Sequence, residues 1–202
     1  MDSARALLSK GFLKEAQSII NNNIAYLNKN ISTSTPIIGI EPSAILGFRD
    51  EYLRLAKDKK TASAISRQCF IIEEFLASEI ELGHIKSSQF SSDKKVIKIH
   101  NHCHQKVLSN QKVTFDILNL PLNYKPTIIP SGCCGMAGSF GFEKDTYEVS
   151  MQIGELKLFP AIRNTPNDSI IAANGTSCRH QIKDGTQREA FHPISILKNA
   201  LS

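Results

Sequence analysis

Three short apolar stretches in the second half of this chain each run straight into a cysteine-bearing loop. Val96-Ile97-Lys98-Ile99 leads to Cys103, Thr127-Ile128-Ile129 leads to Cys133-Cys134, and Ile170-Ile171-Ala172-Ala173 leads to Cys178. The spacing predicts a helix after each loop, over about 109–119, about 143–164 and just beyond Cys178, and a last one after His192-Pro193. Within 143–164, Tyr147, Val149, Met151 and Ile153 alternate as in a strand, and Pro160 should kink or break a helix. Strands alternating with helices imply a parallel sheet with right-handed crossovers. All strand C-termini of such a sheet share one edge, where open α/β folds build their sites. Four thiols far apart in sequence are therefore expected to meet in space.

The first half reads as a short helix at 3–9, a longer one at 12–28, a short strand from Pro36 to Ile40, and helices at about 44–56 and 61–81. The last carries Ala62, Ile65, Cys69, Ile72, Leu76 and Ile80 along one stripe, which makes Cys69 a core residue on a helix. The lone strand at 36–40 needs a partner, either the strand at 170–173 or another chain. The Ser-rich stretch 83–94 divides the chain into an N-terminal lobe, 1–90, and a second lobe, 91–202. Sliding the chain along itself lays 13–28 on 147–162, Ile37-Ile38 on Ile171-Ala172 and Ser43-Ala44 on Ser177-Cys178. The expected fold is therefore α/β and three-layered, with short parallel sheets and flanking helices in two pseudo-repeated lobes, the first incomplete.

A net charge of +5 spread along the chain, with 7% aromatic residues not interleaved with the basic ones, leaves no nucleic-acid footprint. The apolar runs are far shorter than a membrane span. Five cysteines, an odd number, with no secretion signal at the start argue against a disulfide framework. Four converging thiolates suit an iron–sulfur cluster or a tetrahedral zinc ion. The glycine-rich run from Gly132 to Gly141 lets backbone N–H groups turn toward an anionic centre. It lacks the Lys-Ser/Thr of a phosphate-binding loop. His100, His102 and His104 alternate around Cys103 and on an extended segment would share one face, as zinc ligands, as hydrogen-bonding neighbours of a cluster, or as surface residues. A Cys–His nucleophile would leave three cysteines without a purpose. Glu41, Arg49, Asp50 and Glu51 are either helix caps and ion pairs or a docking or substrate-facing surface.

Five stretches carry a resemblance: Gly39 to Ser43, Arg49 to Tyr52, His100 to Lys106, Ser131 to Gly141, and Gly175 to Gln181. Together they resemble the C-terminal cysteine-rich (CCG) region of FAD-linked oxidases, shared with the iron–sulfur subunits of glycolate oxidase, glycerol-3-phosphate dehydrogenase and heterodisulfide reductase. The resemblance implies a duplicated domain that holds an iron–sulfur centre, of 4Fe-4S type; the alternative is a non-redox docking domain that zinc or reduced thiols stabilise. Cys103, Cys133, Cys134 and Cys178 would be its ligands, Gly135 part of its cradle, and His102, His104 and His180 its hydrogen-bonding neighbours. It also implies an oxidoreductase of the lactate, glycolate or 2-hydroxyglutarate class, in which FAD passes electrons through the cluster toward an acceptor such as quinone. FAD would sit in the parent enzyme and not in this chain. The partners would be FAD-binding and ferredoxin-like modules, and the chain, a piece of that enzyme, would be inactive alone. The expected location is cytoplasmic, free or held at the inner face of the membrane. Two departures stand out: Ala44 follows Glu-Pro-Ser where some relatives have cysteine, and Cys178 is followed by Arg179-His180-Gln181 where relatives often end in Cys-x-x-Cys.

Overall fold

The computed structural model describes residues 2–202, in two compact units, one running to Ile71 and one from Ile72 to Ser202. The first contains α1 (Arg5–Ser9), α2 (Leu13–Asn30), β1 (Ile37–Gly39), α3 (Pro42–Ile45), a 3-10 turn (Leu46–Arg49), α4 (Glu51–Leu55), α5 (Lys59–Ser66) and β2 (Cys69–Ile71). β1 and β2 pair in parallel, with Ile37 opposite Cys69 and Gly39 opposite Ile71. The apolar face of α2, made by Ala16, Ile20, Ile24 and Leu27, is buried, as are Ile45, Leu46, Phe48, Tyr52 and Ile65.

Two expectations are corrected here. The stretch 61–81 is not one helix, because Cys69-Phe70-Ile71 extends and gives β1 its hydrogen-bonding partner within the same unit. Aromatic and β-branched residues favour that pairing, and helix periodicity alone cannot register it. Cys69 therefore lies on a strand, though it is fully buried as expected. The helix at 44–56 is also divided, since Asp50 leaves the helical region at φ −131° and ψ −85°. The charged group around it serves the local structure. Glu41 caps α3 and accepts from Ser43 Oγ at 2.8 Å, Arg49 donates to the Cys69 carbonyl at 2.6 Å, and Asp50 and Glu51 pair with Arg54 and Arg5 at 2.6 Å each.

The second unit opens with α6 (Ile72–Glu81) and continues through β3 (Lys95–His100), α7 (Cys103–Leu108), α8 (Lys112–Leu118), β4 (Tyr124–Ile128), α9 (Tyr147–Glu155), α10 (Leu158–Arg163), β5 (Ile170–Ala173), α11 (Thr176–Thr186), β6 (Ala190–Phe191) and α12 (Pro193–Lys198). Its sheet has the order β4-β3-β5-β6, all parallel. Side chains alternate across it. Ile97, Ile99 and Ala172 pack with Ile117, Leu118 and Leu197 on one face, while Ile171 and Ala173 pack with Leu158, Phe159 and Ile182 on the other. The chain is thus α/β, with short parallel sheets flanked by helices. The expected helix at 143–164 is two helices, and the strand-like alternation from Tyr147 to Ile153 lies in the first of them. Pro160 falls in the first turn of α10, where its missing N–H removes no intrahelical bond. No helix among the described residues is long and apolar enough to cross a membrane.

Candidate metal centre

The sheet order places a topological switch beside its central strand: from β3 the chain goes first to β4 on one side, then to β5 on the other. Ligand sites of open α/β sheets form in the crevice at such a point, beyond the strand C-termini. His100, the last residue of β3, lies opposite Ala173, the last of β5. Cys103 follows the first strand end and Cys178 the second, while Cys133 and Cys134 come from the loop after β4.

The four sulfurs form one chain of contacts. Cys134 Sγ lies 3.4 Å from Cys178 Sγ, Cys103 hydrogen-bonds to Cys133, and Cys133 hydrogen-bonds to Cys134. Cys134 and Cys178 are buried, and Cys103 and Cys133 are half-buried. The hydrogen bond received from Cys103 pulls Cys133 toward the thiolate, and the one from Cys134 does the same for Cys178. Donating those bonds, together with burial, keeps Cys103 and Cys134 protonated. A tetrahedral centre with ~2.3 Å metal–sulfur bonds separates its sulfurs by ~3.8 Å, so the spacing at Cys134 and Cys178 suits bridging by a thiophilic centre.

The loop after β4 is shaped around these sulfurs. Gly135 turns at φ +103° and its N–H donates to Cys133 Sγ at 3.3 Å, and the Met136 N–H donates to Cys134. Two successive peptide dipoles thereby face two adjacent sulfurs, the arrangement that stabilises negative charge on a ligand set. Lys106 of α7 holds the loop's entry, donating to the carbonyls of Ser131 at 2.8 Å and Gly132 at 2.7 Å.

The histidines do not share one extended face, because α7 begins at Cys103. His102 caps that helix, its Nδ1 accepting from the His104 N–H at 3.1 Å. Its ring lies so close to Gly175 that a Cβ there would sit 2.4 Å from His102 Cδ2 and 3.2 Å from Cys178 Sγ. His104 is half-buried, its ring centroid 5.2 Å from that of His102. His180 is exposed and meets the edge of Phe142, with ring centroids 6.3 Å apart.

Three supporting residues carried no assigned role in the sequence reading. Asn174 accepts from the His102 N–H at 3.1 Å and donates to Gln105 Oε1 at 2.7 Å, and Gln105 donates in turn to Thr114 Oγ1 at 2.8 Å. Gln181 is buried and bound to Ser150 Oγ at 2.9 Å. His100, read only as one of three alternating histidines, stands apart from the other two. It is fully buried, with Nδ1 2.8 Å from Ser131 Oγ and no nitrogen or oxygen partner at Nε2. One of its ring nitrogens and the sulfurs of Cys134 and Cys178 all lie within 4.8 Å of one another, and the ring helps draw Cys178 toward the thiolate. The signal that singles it out was present in the sequence, as a histidine ending an apolar strand just before a cysteine. A clustered set of soft sulfur donors, peptide N–H groups directed at them and a buried ring nitrogen fit a thiolate-bound metal group.

Comparison with known proteins gives relatives along almost the whole chain. It is 27% identical over 190 residues to the D-2-hydroxyglutarate dehydrogenase of Escherichia coli (strain K12), a match that covers 93% of this chain and 18% of that protein. It is 26% identical over 199 residues to one of the subunits of the anaerobic glycerol-3-phosphate dehydrogenase of the same organism, covering 97% of this chain and 48% of that protein. A Haemophilus influenzae D-2-hydroxyglutarate dehydrogenase is 23% identical over 204 residues, covering 98% of this chain and 19% of that protein. The chain thus spans between about a fifth and about half of these relatives' length. They agree with the resemblance to the cysteine-rich region of FAD-linked oxidases. No family model matches the chain, and no solved structure does.

Proposed function

We propose that this chain, a homologue of segments of D-2-hydroxyglutarate dehydrogenases and of one component of a glycerol-3-phosphate dehydrogenase, is the iron–sulfur electron-transfer module of a flavin-linked 2-hydroxy-acid oxidoreductase. The observation that carries this reading is the convergence of four thiols from three strand-end loops at the switch point of one parallel sheet. Cys103, Cys133, Cys134 and Cys178 hold the centre, a 4Fe-4S cluster. When bound, the cluster supplies a one-electron relay between a flavin and an acceptor such as quinone.

The rest of the site prepares that relay. Gly135 and Met136 direct N–H groups at the sulfurs and favour the added negative charge of a reduced centre. The cores of the sheet exclude water from the Cys134 and Cys178 side, while half-buried Cys103 and Cys133 lie on the side open to a partner. FAD-binding and ferredoxin-like modules supply the rest of the enzyme, so the chain by itself oxidises no hydroxy acid. The doubled arrangement of helix, strand and small-residue turn belongs to the same proposal, as does a cytoplasmic or membrane-peripheral place.

Anaerobic reconstitution with iron and sulfide tests the reading. The expected product is coloured, bleaches on reduction by dithionite, and carries iron and sulfide in equal amounts. A colourless protein that retains stoichiometric zinc and no iron supports the second reading, a zinc-stabilised docking domain. The 4.8 Å grouping of His100, Cys134 and Cys178 is the observation in that reading's favour.

A further inference from the structure

We infer that His100 is a direct nitrogen ligand of the metal centre, held in place by Ser131. The inference rests on the reading of this sheet edge as a metal site and adds to it a ligand that is not a thiol.

His100 ends β3, the central strand on the switch-point side, and has no exposed surface. Its Nδ1 lies 2.8 Å from Ser131 Oγ. Ser131 is itself anchored: its N–H donates to the Ile129 carbonyl at 2.7 Å and its carbonyl accepts from Lys106. That leaves Nε2, which is buried with no nitrogen or oxygen partner, and the ring's remaining interaction is with the Cys178 sulfur. A buried ring nitrogen with only a weak sulfur partner is unfavourable, and native structures keep such atoms where something else engages them. One ring nitrogen and the sulfurs of the two most buried thiols of the site, Cys134 and Cys178, all lie within 4.8 Å of one another. With Nδ1–H donated to Ser131, Nε2 carries the lone pair, which is the state a metal-binding imidazole needs.

The neighbouring histidines are differently placed. His102 spends Nδ1 on the helix cap, and His180 is exposed against Phe142. At Gln181 a side-chain amide is tied to Ser150, so no further thiol is available there. The buried end of the site thus offers two sulfurs and one nitrogen, the half-buried end two sulfurs. Mixed nitrogen and sulfur ligation raises the reduction potential of a cluster relative to all-thiolate ligation.

The test uses the full chain with ¹⁵N-labelled histidine, loaded in one sample with iron and sulfide and in another with Co²⁺ alone. Pulsed electron paramagnetic resonance reads the hyperfine coupling of a bound nitrogen directly. One strongly coupled ¹⁵N is expected, absent in His100→Cys, which keeps its metal because a thiolate replaces the imidazole. His100→Cys should also reduce at a lower potential, and Ser131→Ala should retain the coupling with altered anisotropy. A reduced cluster with no histidine coupling overturns the inference and leaves the cluster reading intact. Coupling in the Co²⁺ sample with no cluster formed upholds His100 and overturns the cluster reading. Failure of both metals to bind overturns both.

Discussion

A Cβ on Gly135 would stand 2.1 Å from the carbonyl oxygen of Ser150, a buried residue of α9 that faces the cysteine loop. The backbone there turns at φ +103°, where side chains other than hydrogen are strained. Both effects act on the residue whose N–H faces Cys133. Gly135→Ala should therefore lower stability by at least ~2 kcal/mol and reduce metal retention, checked by urea denaturation and metal analysis. Unchanged values in both would mean that the loop relaxes freely.

Asn174 joins the strand end of β5 to α7 through two bonds, one to the His102 N–H and one to Gln105. All three residues are buried. Asn174→Ala leaves a peptide donor and an amide oxygen without partners, at a cost of ~2–3 kcal/mol. Because α7 begins at Cys103, the same change should weaken metal binding. The comparison to make is with Asn119→Ala, just beyond the C-terminal end of α8, which should do neither.

The strands before the cysteine loops were legible because short apolar runs bounded by turn residues carry their own signal, and parallel order follows from the helices between them; the run 127–129 marks only the end of β4, which starts at Tyr124. Ile170–Ala173 is placed as expected. What escaped notice was set by partners distant in sequence. Cys69 reads as one turn of a helix until β1 is known to need a neighbour. His100, His102 and His104 read as one extended face because nothing local announces that a histidine will cap a helix at Cys103. Asn174 and Gln105 stand 69 positions apart and meet only in the fold. Ser131, as a loop serine, gave no hint that it would orient an imidazole.

Alkaline pH should destabilise the first unit. Burial pushes the Cys69 thiol from 9.0 up to about 12 and the Tyr52 hydroxyl from 10.0 up to about 12. Both groups stay protonated longer in the folded chain than in the unfolded one. Their contribution is complete below pH 9, where neither state ionises, and is lost as pH climbs from 9 toward 12. For Cys69 alone the loss amounts to ~4 kcal/mol at the upper end. Urea midpoints at about pH 8 and about pH 11 measure it, and Cys69→Val should flatten the slope. An identical slope in that variant would assign the effect elsewhere.

The cysteines should separate into three classes. Cys69→Ser should leave metal binding untouched, since its carbonyl and side chain belong to the β1–β2 pair and Arg49. Cys134→Ser and Cys178→Ser should lose the centre, because a buried hydroxyl is a poor ligand for a soft metal and an unsatisfied group once the metal is gone. Cys103→Ser and Cys133→Ser face a half-buried position where water can complete the coordination. They should retain a depleted centre that loses iron faster in the presence of a chelator. In the metal-free chain, brief alkylation should label Cys133 first, because it is half-buried and its thiolate accepts the Gly135 N–H. Cys69 and Cys134 should label last. Peptide mapping by mass spectrometry after a timed pulse gives the order. Early labelling of Cys134, or iron lost equally fast from all four serine variants, would show that the site has no buried and open ends.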